Sequence, residues 1–211
     1  MFFKILDEKL IHHNFQYKLG LNVDTTHFDD TECRNGLHFC SLEQVHLWTE
    51  LGSKLGFISI PDSAEVIHYA NKSKANMLVI DKIIDLKDWE MWSDEKFCLE
   101  AVKQNGHALE YVQRQTHEIC LAAVKKYGNA LKFVKEQTDE IRLEAVKKYG
   151  YAINYVENQT RELCLIAVRE SGFSLMFIKE QTEEICLAAV IKDAREALPH
   201  VKNPTYKICL A

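Results

Sequence analysis

The sequence lacks several features that would assign it to common functional classes. No window approaches the roughly 20 uninterrupted apolar residues of a membrane-spanning helix. The opening segment MFFKILDEKLIHH has acids and lysines where a signal peptide would need an apolar run. The seven cysteines include no CxxC pair and no dense disulfide framework, which suits a reducing compartment. We therefore expect a soluble intracellular protein, and a hydrophobic content of 47% is ample for a core.

Excess positive charge is also absent. The net charge of −5 does not indicate a general nucleic-acid binder. Paired lysines recur at 125–126 and 147–148, but nearby glutamates match them, so solvated helix ends explain them better than a nucleic-acid site. The excess of acidic side chains lies in residues 1–92, because residues 93–211 carry 17 basic and 17 acidic side chains.

What the sequence does contain is a repeat of 22 residues. The same residue types return at this spacing in Thr116, Thr138, Thr160 and Thr182 and in Gly106, Gly128, Gly150 and Gly172. A fixed period in this range predicts a solenoid or array. The predicted units are 93–115, 116–137, 138–159, 160–181 and 182–203, followed by a terminal half unit, 204–211.

Each unit is predicted to form two short helices. The first begins at the threonine, a good N-cap, and its acidic first turn suits the helix dipole. In the second repeat, residues 116–137, this first helix presents one apolar stripe, and Gly128 is expected to end the helix as a left-handed cap. The second helix is NALKFVKEQ. Helices this short need stacking on their neighbours for stability.

Stacking predicts ladders of identical positions from unit to unit. One ladder is aromatic, and a second consists of glutamines whose amides can bond to a neighbouring turn. The aromatic positions are Tyr111, Phe133, Tyr155 and Phe177, and the glutamines are Gln115, Gln137, Gln159 and Gln181. A third ladder is formed by cysteines, which we expect to be buried and inert. These cysteines are Cys98, Cys120, Cys164, Cys186 and, after a one-residue slip, Cys209, with Arg142 at the same position in the third unit.

Units such as ALKFVKEQTDEIRLEAVKKYG resemble a helical repeat domain of unknown function that occurs in multiple copies in giant-virus and protist proteins. The resemblance covers residues 93–211. It implies a virus-encoded or protist helical repeat protein that acts inside an infected or protist cell, in the host cytoplasm, the viral factory or the virion. The family has no assigned catalytic residues.

Residues 1–92 predict a small α/β domain, so the fold class of the whole chain is α+β. The segments FFKILD, LGFISIP and NMLVIDKIIDL are β-rich. The segment SLEQVHLWTELG predicts a helix with Ser41 as N-cap, Gln44 completing a capping box and Gly52 closing it. Trp89 and Trp92 are predicted to cap the open end of the first repeat. Residues 12–86 are similar to the amino-terminal module that precedes ankyrin repeats in some giant-virus proteins.

Two sites for small ligands or metals are considered in this part. The segment GLHFC before a helix resembles ADP-ribosyltransferase-like folds, and the resemblance implies nucleotide-binding roles for His12 or His13 and for Tyr17. The chain departs from that pattern because His38 precedes Phe39 and no catalytic glutamate can be assigned. A zinc site could also be drawn from His27, Cys33, His38 and Cys40, but their spacing lacks the close pairs of structural zinc sites, and we predict no metal and no cofactor.

The sequence favours a non-enzymatic interaction or scaffold protein. A stack of units offers one extended face whose exposed positions vary, and aromatic and methionine side chains are enriched at interfaces. The predicted contact residues are Tyr151, Phe173, Met176, Lys132 and Asn154. The partner is expected to be a host or viral protein, with no membrane and no nucleic acid. Self-association through the terminal half unit and a nucleotide-binding enzyme in residues 1–92 are the alternatives that stay open.

Overall fold

The computed structural model describes residues 1–26, 28–31, 35–205 and 207–208. By its internal contacts the chain divides into two compact units, residues 1–94 and 95–211. The first is built on an antiparallel β-sheet and the second from helices, so the α+β fold class is confirmed.

The strands of the first unit bury apolar side chains, as in FFKIL and MLVIDKIID. Within the described residues they are β1 (Phe2–Leu6), β2 (Ile11–His12), β3 (Phe15–Gln16), β4 (Gly20–Val23), β5 (Leu37–Ser41), β6 (Lys54–Ser59), β7 (Val66–His68), β8 (Ser73–Ala75) and β9 (Met77–Asp85). The three segments predicted to be β-rich lie in β1, β6 and β9, as expected.

Seven of these strands form one sheet in the order β4-β9-β6-β1-β5-β8-β7, and β2 and β3 form a separate hairpin. The strand pairings among the described residues are antiparallel. Strand β1 pairs with β6 over its whole length, Phe2 to Leu6. Its pairing with β5 is limited to Phe2 opposite Ser41 and Phe3 opposite Cys40, so these two strands separate after Phe3.

The two faces of β1 contact different apolar clusters. Leu6 belongs to a buried cluster with Tyr17, Phe39 and other strand residues. On the opposite face the Phe3 ring lies 5.2 Å from the Trp89 ring. Trp89 and Trp92 are both buried, and the indole nitrogen of Trp92 donates to the carbonyl oxygen of Leu86. Their predicted role as a cap for the repeats stays a prediction.

The helix that was predicted to begin after Ser41 differs from the structure in its type and in its first residue. Ser41 is the last residue of β5, and the following helix is a 3-10 helix, η1 (Val45–Leu51), with Gln44 at its N-cap position. One contact of the predicted capping box still forms, because the Gln44 side chain accepts a hydrogen bond from the Ser41 backbone N–H. Gly52 ends the helix as predicted. Two further 3-10 segments close the first unit, η2 (Leu86–Asp88) and η3 (Glu90–Ser93).

The second unit alternates α-helices with shorter 3-10 helices. The α-helices are α1 (Glu95–Gln104), α2 (His117–Lys126), α3 (Asp139–Lys148), α4 (Arg161–Glu170), α5 (Glu183–Lys192) and α6 (Ala194–Ala197). The 3-10 helices are η4 (Gly106–Glu110), η5 (Gly128–Phe133), η6 (Gly150–Tyr155), η7 (Gly172–Phe177) and η8 (Leu198–His200). Half of the predicted half unit 204–211, residues 206 and 209–211, lies outside the described residues.

The threonine caps are confirmed. Thr116, Thr138, Thr160 and Thr182 each accept a hydrogen bond from the backbone N–H three residues later. The left-handed cap predicted at Gly128 is wrong, since α2 ends on Tyr127 in an extended conformation. Gly128 is needed for space instead, because an added Cβ would lie 2.6 Å from the carbonyl oxygen of Ala145 at the end of the next helix.

The glutamine side chains connect successive units, as predicted. Gln159 Nε2 donates to the carbonyl oxygen of Phe177 at 3.0 Å, and its Oε1 accepts from the Lys179 N–H at 3.0 Å. Gln115, Gln137 and Gln181 make the same pair of bonds to the unit that follows each of them. Cys98, Cys120, Cys164 and Cys186 are buried as predicted, and Cys209 lies outside the described residues. Burial raises the pKa of the Cys120 thiol to about 11.

Candidate functional site

Where an aromatic residue or a histidine follows a repeat glycine, its ring lies against a ring of the next repeat. The Tyr151 ring lies 5.3 Å from the Phe173 ring and 5.9 Å from the Phe177 ring. The Phe173 ring in turn lies 4.9 Å from the His200 ring, and the Tyr149 ring lies 4.8 Å from Tyr151. The predicted ladder residues Phe133 and Phe177 are each contacted by the residue that follows the glycine of the preceding repeat, His107 and Tyr151.

These rings and their neighbours form a surface that we call the aromatic face. Met176 is 51% exposed, Tyr149 is 39% exposed and Tyr127 is 38% exposed, which is high for side chains of their size. Tyr151 and Phe173 are half-buried by their ring contacts. The aromatic face consists of Tyr127, Tyr149, Tyr151, Phe173, Met176 and Phe177.

The tyrosine hydroxyls on this face are close enough to affect one another. The pKa of Tyr149 is raised, first by partial desolvation and then by the neighbouring Tyr151, Tyr127 and Tyr155 hydroxyls. The face can therefore donate several hydrogen bonds beside apolar rings, the combination that makes tyrosine frequent in interfaces.

Basic side chains border the aromatic face. Lys125 and Lys126 directly precede Tyr127, Lys147 and Lys148 directly precede Tyr149, and all four are exposed. Within the described part of the chain, the ion pair found for this group is Lys147 with Glu144 at 3.8 Å. The predicted contact residue Lys132 is exposed, with its Nζ 4.4 Å from the centre of the Phe133 ring. Asn154 is exposed on η6.

A second candidate site lies in the first unit, where β1 and β5 separate. The side chain of Lys4 fills part of that gap, and its Nζ donates to the carbonyl oxygen of His38 at 2.6 Å. The same Nζ lies 3.2 Å from Nδ1 of His12 and 4.5 Å from the centre of the Tyr17 ring. Lys4 is only 3% exposed. An amine this deeply buried is unusual, because desolvation disfavours its charged form.

Burial changes the acid–base properties of both members of this pair. Burial lowers the pKa of Lys4 to about 7 from its ordinary value of 10.5. Burial, followed by the charge of Lys4, lowers the pKa of His12 to about 3, so His12 is neutral at physiological pH. Lys4 can therefore gain or lose its proton near neutral pH in response to what binds beside it.

The β2–β3 hairpin brings a second histidine to Lys4. His13 and Asn14 are its two turn residues, and both have positive φ, 49° and 63°. These φ values suit a type I′ turn, a backbone that is uncommon for residues other than glycine and that Asn and His adopt more readily than most. The turn places the His13 ring 4.1 Å from the His12 ring and 5.8 Å from the His38 ring.

Two cavities open on either side of the three histidines. The larger has a volume of about 420 Å³, and its apolar walls are formed by Phe3, Ile5, Phe39, Trp48 and Leu51. Its polar groups include Lys4, the three histidines and Lys72. The smaller has a volume of about 230 Å³ and is lined in part by Tyr17, Asp24 and Asn35. Among the described residues that line the larger cavity, none is acidic.

The described residues offer no metal centre. His27 and Cys33 of the considered zinc set lie outside them, and across residues 1–26, 28–31, 35–205 and 207–208 no group of three or more metal-ligating side chains is found. Cys40 is buried, its Sγ donates to the carbonyl oxygen of Phe3, and burial raises its pKa to about 12. A protonated thiol is a poor ligand for a metal. In the same part of the chain, no helix is long and apolar enough to cross a membrane.

Comparison with known proteins assigns the chain to a family. Residues 116–160 and 138–182 match the model of a domain of unknown function, DUF4116. The uncharacterized protein R869 of Acanthamoeba polyphaga mimivirus is 33% identical over 109 residues, which make up 48% of this chain and 77% of that protein. The chain belongs to the family of this mimivirus protein.

Two further relatives from the same virus are named putative ankyrin repeat proteins, R868 and R896. They are 33% and 35% identical over 101 and 98 residues, which cover 44% and 43% of this chain. The chain spans only 50% and 30% of their lengths. No solved structure matches the chain. The five predicted contact residues all lie in residues 116–182, the part that the family model matches.

The larger cavity was missed by sequence reasoning, although part of its lining was singled out. His12, His13 and Tyr17 were considered because of a fold resemblance, and the structure brings them together with His38. Lys4, Trp48 and Lys72 were not considered. The available signal was the lysine within the apolar strand FFKIL, where every neighbour is hydrophobic.

Proposed function

We propose that this protein is a non-enzymatic interaction or scaffold protein, and that it binds a protein partner through the aromatic face of its second unit. The observation that carries the proposal is the exposure of Met176 and Tyr149 on the part of the chain where a continuous set of rings makes tilted contacts. Aromatic and methionine side chains in such numbers are typical of binding surfaces and costly to leave in water. The ankyrin-repeat names of two relatives support a role in protein interactions.

In this proposal the 22-residue units stack as a solenoid of two-helix repeats. The glutamine bridges and the close approach at each glycine support this arrangement, because both tie one unit to the next. A stack of this kind presents the same positions of every unit on one surface. Residues that follow the glycines can then vary from unit to unit and recognise a long segment of a partner.

The proposed partner is a protein segment that carries both apolar and acidic side chains. Apolar anchors would cover Met176, Phe173 and the exposed tyrosine rings. Acidic side chains would pair with the lysines at the ends of α2 and α3, which border the same face. Because exposed charge pairs are screened by salt, binding should weaken as ionic strength rises. Because the chain has a mimivirus relative, the proposed partner is a host or viral protein. In this proposal the two proteins bind each other in the host cytoplasm, the viral factory or the virion.

The test compares capture by the full chain and by the double variant Tyr149→Ala, Met176→Ala from a lysate of virus-infected amoebae, with recovered proteins quantified by mass spectrometry. Both residues are exposed, so the fold should keep its stability within about 0.5 kcal/mol. Loss of two interface anchors should reduce recovery of the partner at least roughly tenfold. Leu21→Ala is the matched control, because Leu21 is 50% exposed and lies in the first unit.

Equal recovery by the wild type and the double variant would overturn the proposal that the aromatic face binds the partner. A parallel loss with Leu21→Ala would show non-specific adhesion instead of a defined surface. Self-association stays a separate prediction, since residues 206 and 209–211 lie outside the described residues. The molar mass of the full chain in solution at micromolar concentration tests it, and a monomeric mass would contradict it.

A further inference from the structure

We propose that the larger cavity of the first unit binds a small aromatic molecule that carries an anionic group, with its ring against Trp48 and Phe39 and its anion beside Lys4 and the three histidines. This site is separate from the proposed protein-binding function, because all its residues lie within residues 1–94 and the aromatic face lies within residues 95–211.

The size and walls of the cavity suit such a ligand. Ligand sites in proteins usually have volumes of roughly 300–1,000 Å³, are mostly apolar and carry a few convergent polar groups. The cavity here has a volume of about 420 Å³, with rings from β1, β5 and η1 on its walls. Trp48 is held in place because its indole N–H donates to the carbonyl oxygen of Asn71 at 3.1 Å. It can therefore act as a fixed stacking surface.

The charge of the cavity selects an anion. Lys4 and Lys72 both line it, and the Lys72 amine lies 6.0 Å from the centre of the Trp48 ring. His12, His13 and His38 add imidazole nitrogens at the same end. Among the described residues that line the cavity, none carries a carboxylate. A bound carboxylate, sulfonate or phosphate would stabilise the Lys4 ammonium.

Three energetically unfavourable features meet at this one place. A lysine amine is buried, the β1–β5 ladder is interrupted after Phe3, and His13 adopts a positive φ in the hairpin turn. Strained backbone and buried ionisable groups cluster at binding sites, where the ligand offsets their cost. A purely structural role for Lys4 would account for its hydrogen bond to the carbonyl oxygen of His38. That role would not account for the cavity of about 420 Å³ that Lys4 lines.

Fluorescence titration of the full chain can test the proposal with two probes that share a ring system. One is 8-anilinonaphthalene-1-sulfonate, which is anionic, and the other is N-phenyl-1-naphthylamine, which is neutral. We expect saturable binding of one anionic probe per chain, at least tenfold tighter than binding of the neutral probe. Lys4→Met keeps the length and apolar character of the side chain and should remove this preference. Absence of saturable binding, or the same preference in Lys4→Met, would overturn the proposal.

A second pair of variants tests the same cavity in case Lys4→Met does not fold. Trp48→Ala removes the stacking surface and should weaken the anionic probe at least fivefold. Leu47→Ala is the neighbouring control on η1, since Leu47 is exposed and does not line the cavity. Far-ultraviolet circular dichroism should show the same fold for all variants. Equal affinity of Trp48→Ala and Leu47→Ala for the probe would contradict a site in this cavity.

Displacement of the anionic probe then distinguishes the type of anion. The competitors are 1-naphthyl phosphate and 1-naphthoate, which carry the same ring and differ in the charged group. Tighter competition by the phosphate would indicate a phosphorylated aromatic ligand, and tighter competition by the carboxylate would indicate an aromatic acid. Failure of both competitors at concentrations up to the millimolar range would overturn the proposal.

Discussion

At the scale of single residues, Lys4 has the largest expected effect on the first unit. Its amine is buried and its pKa is lowered to about 7, because burial disfavours the ammonium form. The unfolded chain keeps the ordinary value of 10.5. Between these two values the unfolded state binds more protons than the folded state, so folding stability rises with pH across that window. Below pH 7 the full cost of burying the charge is present.

Lys4→Met should therefore flatten the pH dependence of stability. Wild-type free energy of unfolding should increase by a few kcal/mol between pH 6 and pH 9 because of this one group, and the variant should lack that increment. Urea unfolding followed by circular dichroism at both pH values measures the difference. The titratable groups that face Lys4 are His12, His13, Tyr17, His38 and Cys40.

The control for this prediction is Lys82→Met, because Lys82 is exposed on β9 of the same sheet. Its removal should leave the pH dependence as in the wild type. An unchanged increment between pH 6 and pH 9 in Lys4→Met would show that Lys4 is not the group responsible. His12 adds a smaller rise at the acid end of this range, because its pKa is lowered to about 3 in the folded chain and is 6.5 in the unfolded chain. Lys82→Met should keep this rise together with that of Lys4.

At the scale of elements, the repeats are joined by side chains that bond to the backbone of the following unit. Gln159 is half-buried and satisfies both a carbonyl oxygen and an N–H of the turn after η7. Removing it leaves both backbone groups without their partner, and an unsatisfied buried polar group costs about 1–3 kcal/mol. The glutamines therefore contribute more to stability than the exposed ion pairs of the same unit.

Gln159→Ala should lower the free energy of unfolding by about 1–3 kcal/mol, as measured by urea denaturation. Gln104→Ala is the matched control, because Gln104 is an exposed glutamine at the end of α1, and its replacement should change stability by less than about 0.5 kcal/mol. Similar effects of the two substitutions would contradict a specific role for the bridge.

The elements also show what could be predicted from the sequence. Thr116 and the equivalent threonines were predicted as N-caps because capping depends on local hydrogen bonds, and the glutamine bridges followed from a repeat that must contact itself. The prediction of a left-handed conformation at Gly128 was wrong. A glycine is needed there because the next helix approaches closely, and the sequence of a single repeat does not reveal that approach. The η1 helix was misassigned because Ser41 is held in β5 by its pairing with Phe2.

The candidate sites were predictable to different extents for the same reason. Tyr151, Phe173 and Met176 were proposed as contacts because they lie one or four residues after a repeat glycine, and their role in binding stays a prediction. The cavity around Lys4 depends on where β1 and β5 separate and on the hairpin that carries His13. These are pairings between distant segments, and hydrophobic periodicity within either segment does not define them.

At the scale of the whole molecule, the chain combines two units with different chemistry. The second unit has an aromatic face bordered by lysines, and its residues 116–182 match a domain family of unknown function. The first unit has a cavity lined by a buried amine and three histidines. In our account the second unit recognises a protein and the first holds a small anion.

The central claim is that the aromatic face contacts a protein partner, and site-specific photo-crosslinking tests it most directly. A photoreactive phenylalanine analogue is placed at Met176 in one sample of the full chain and at Leu21 in another, and each is irradiated in infected-cell lysate. We predict one dominant crosslinked protein from position 176 that is absent from position 21 and diminished at high salt. Crosslinks of the same pattern from both positions, or none from position 176, would contradict the claim.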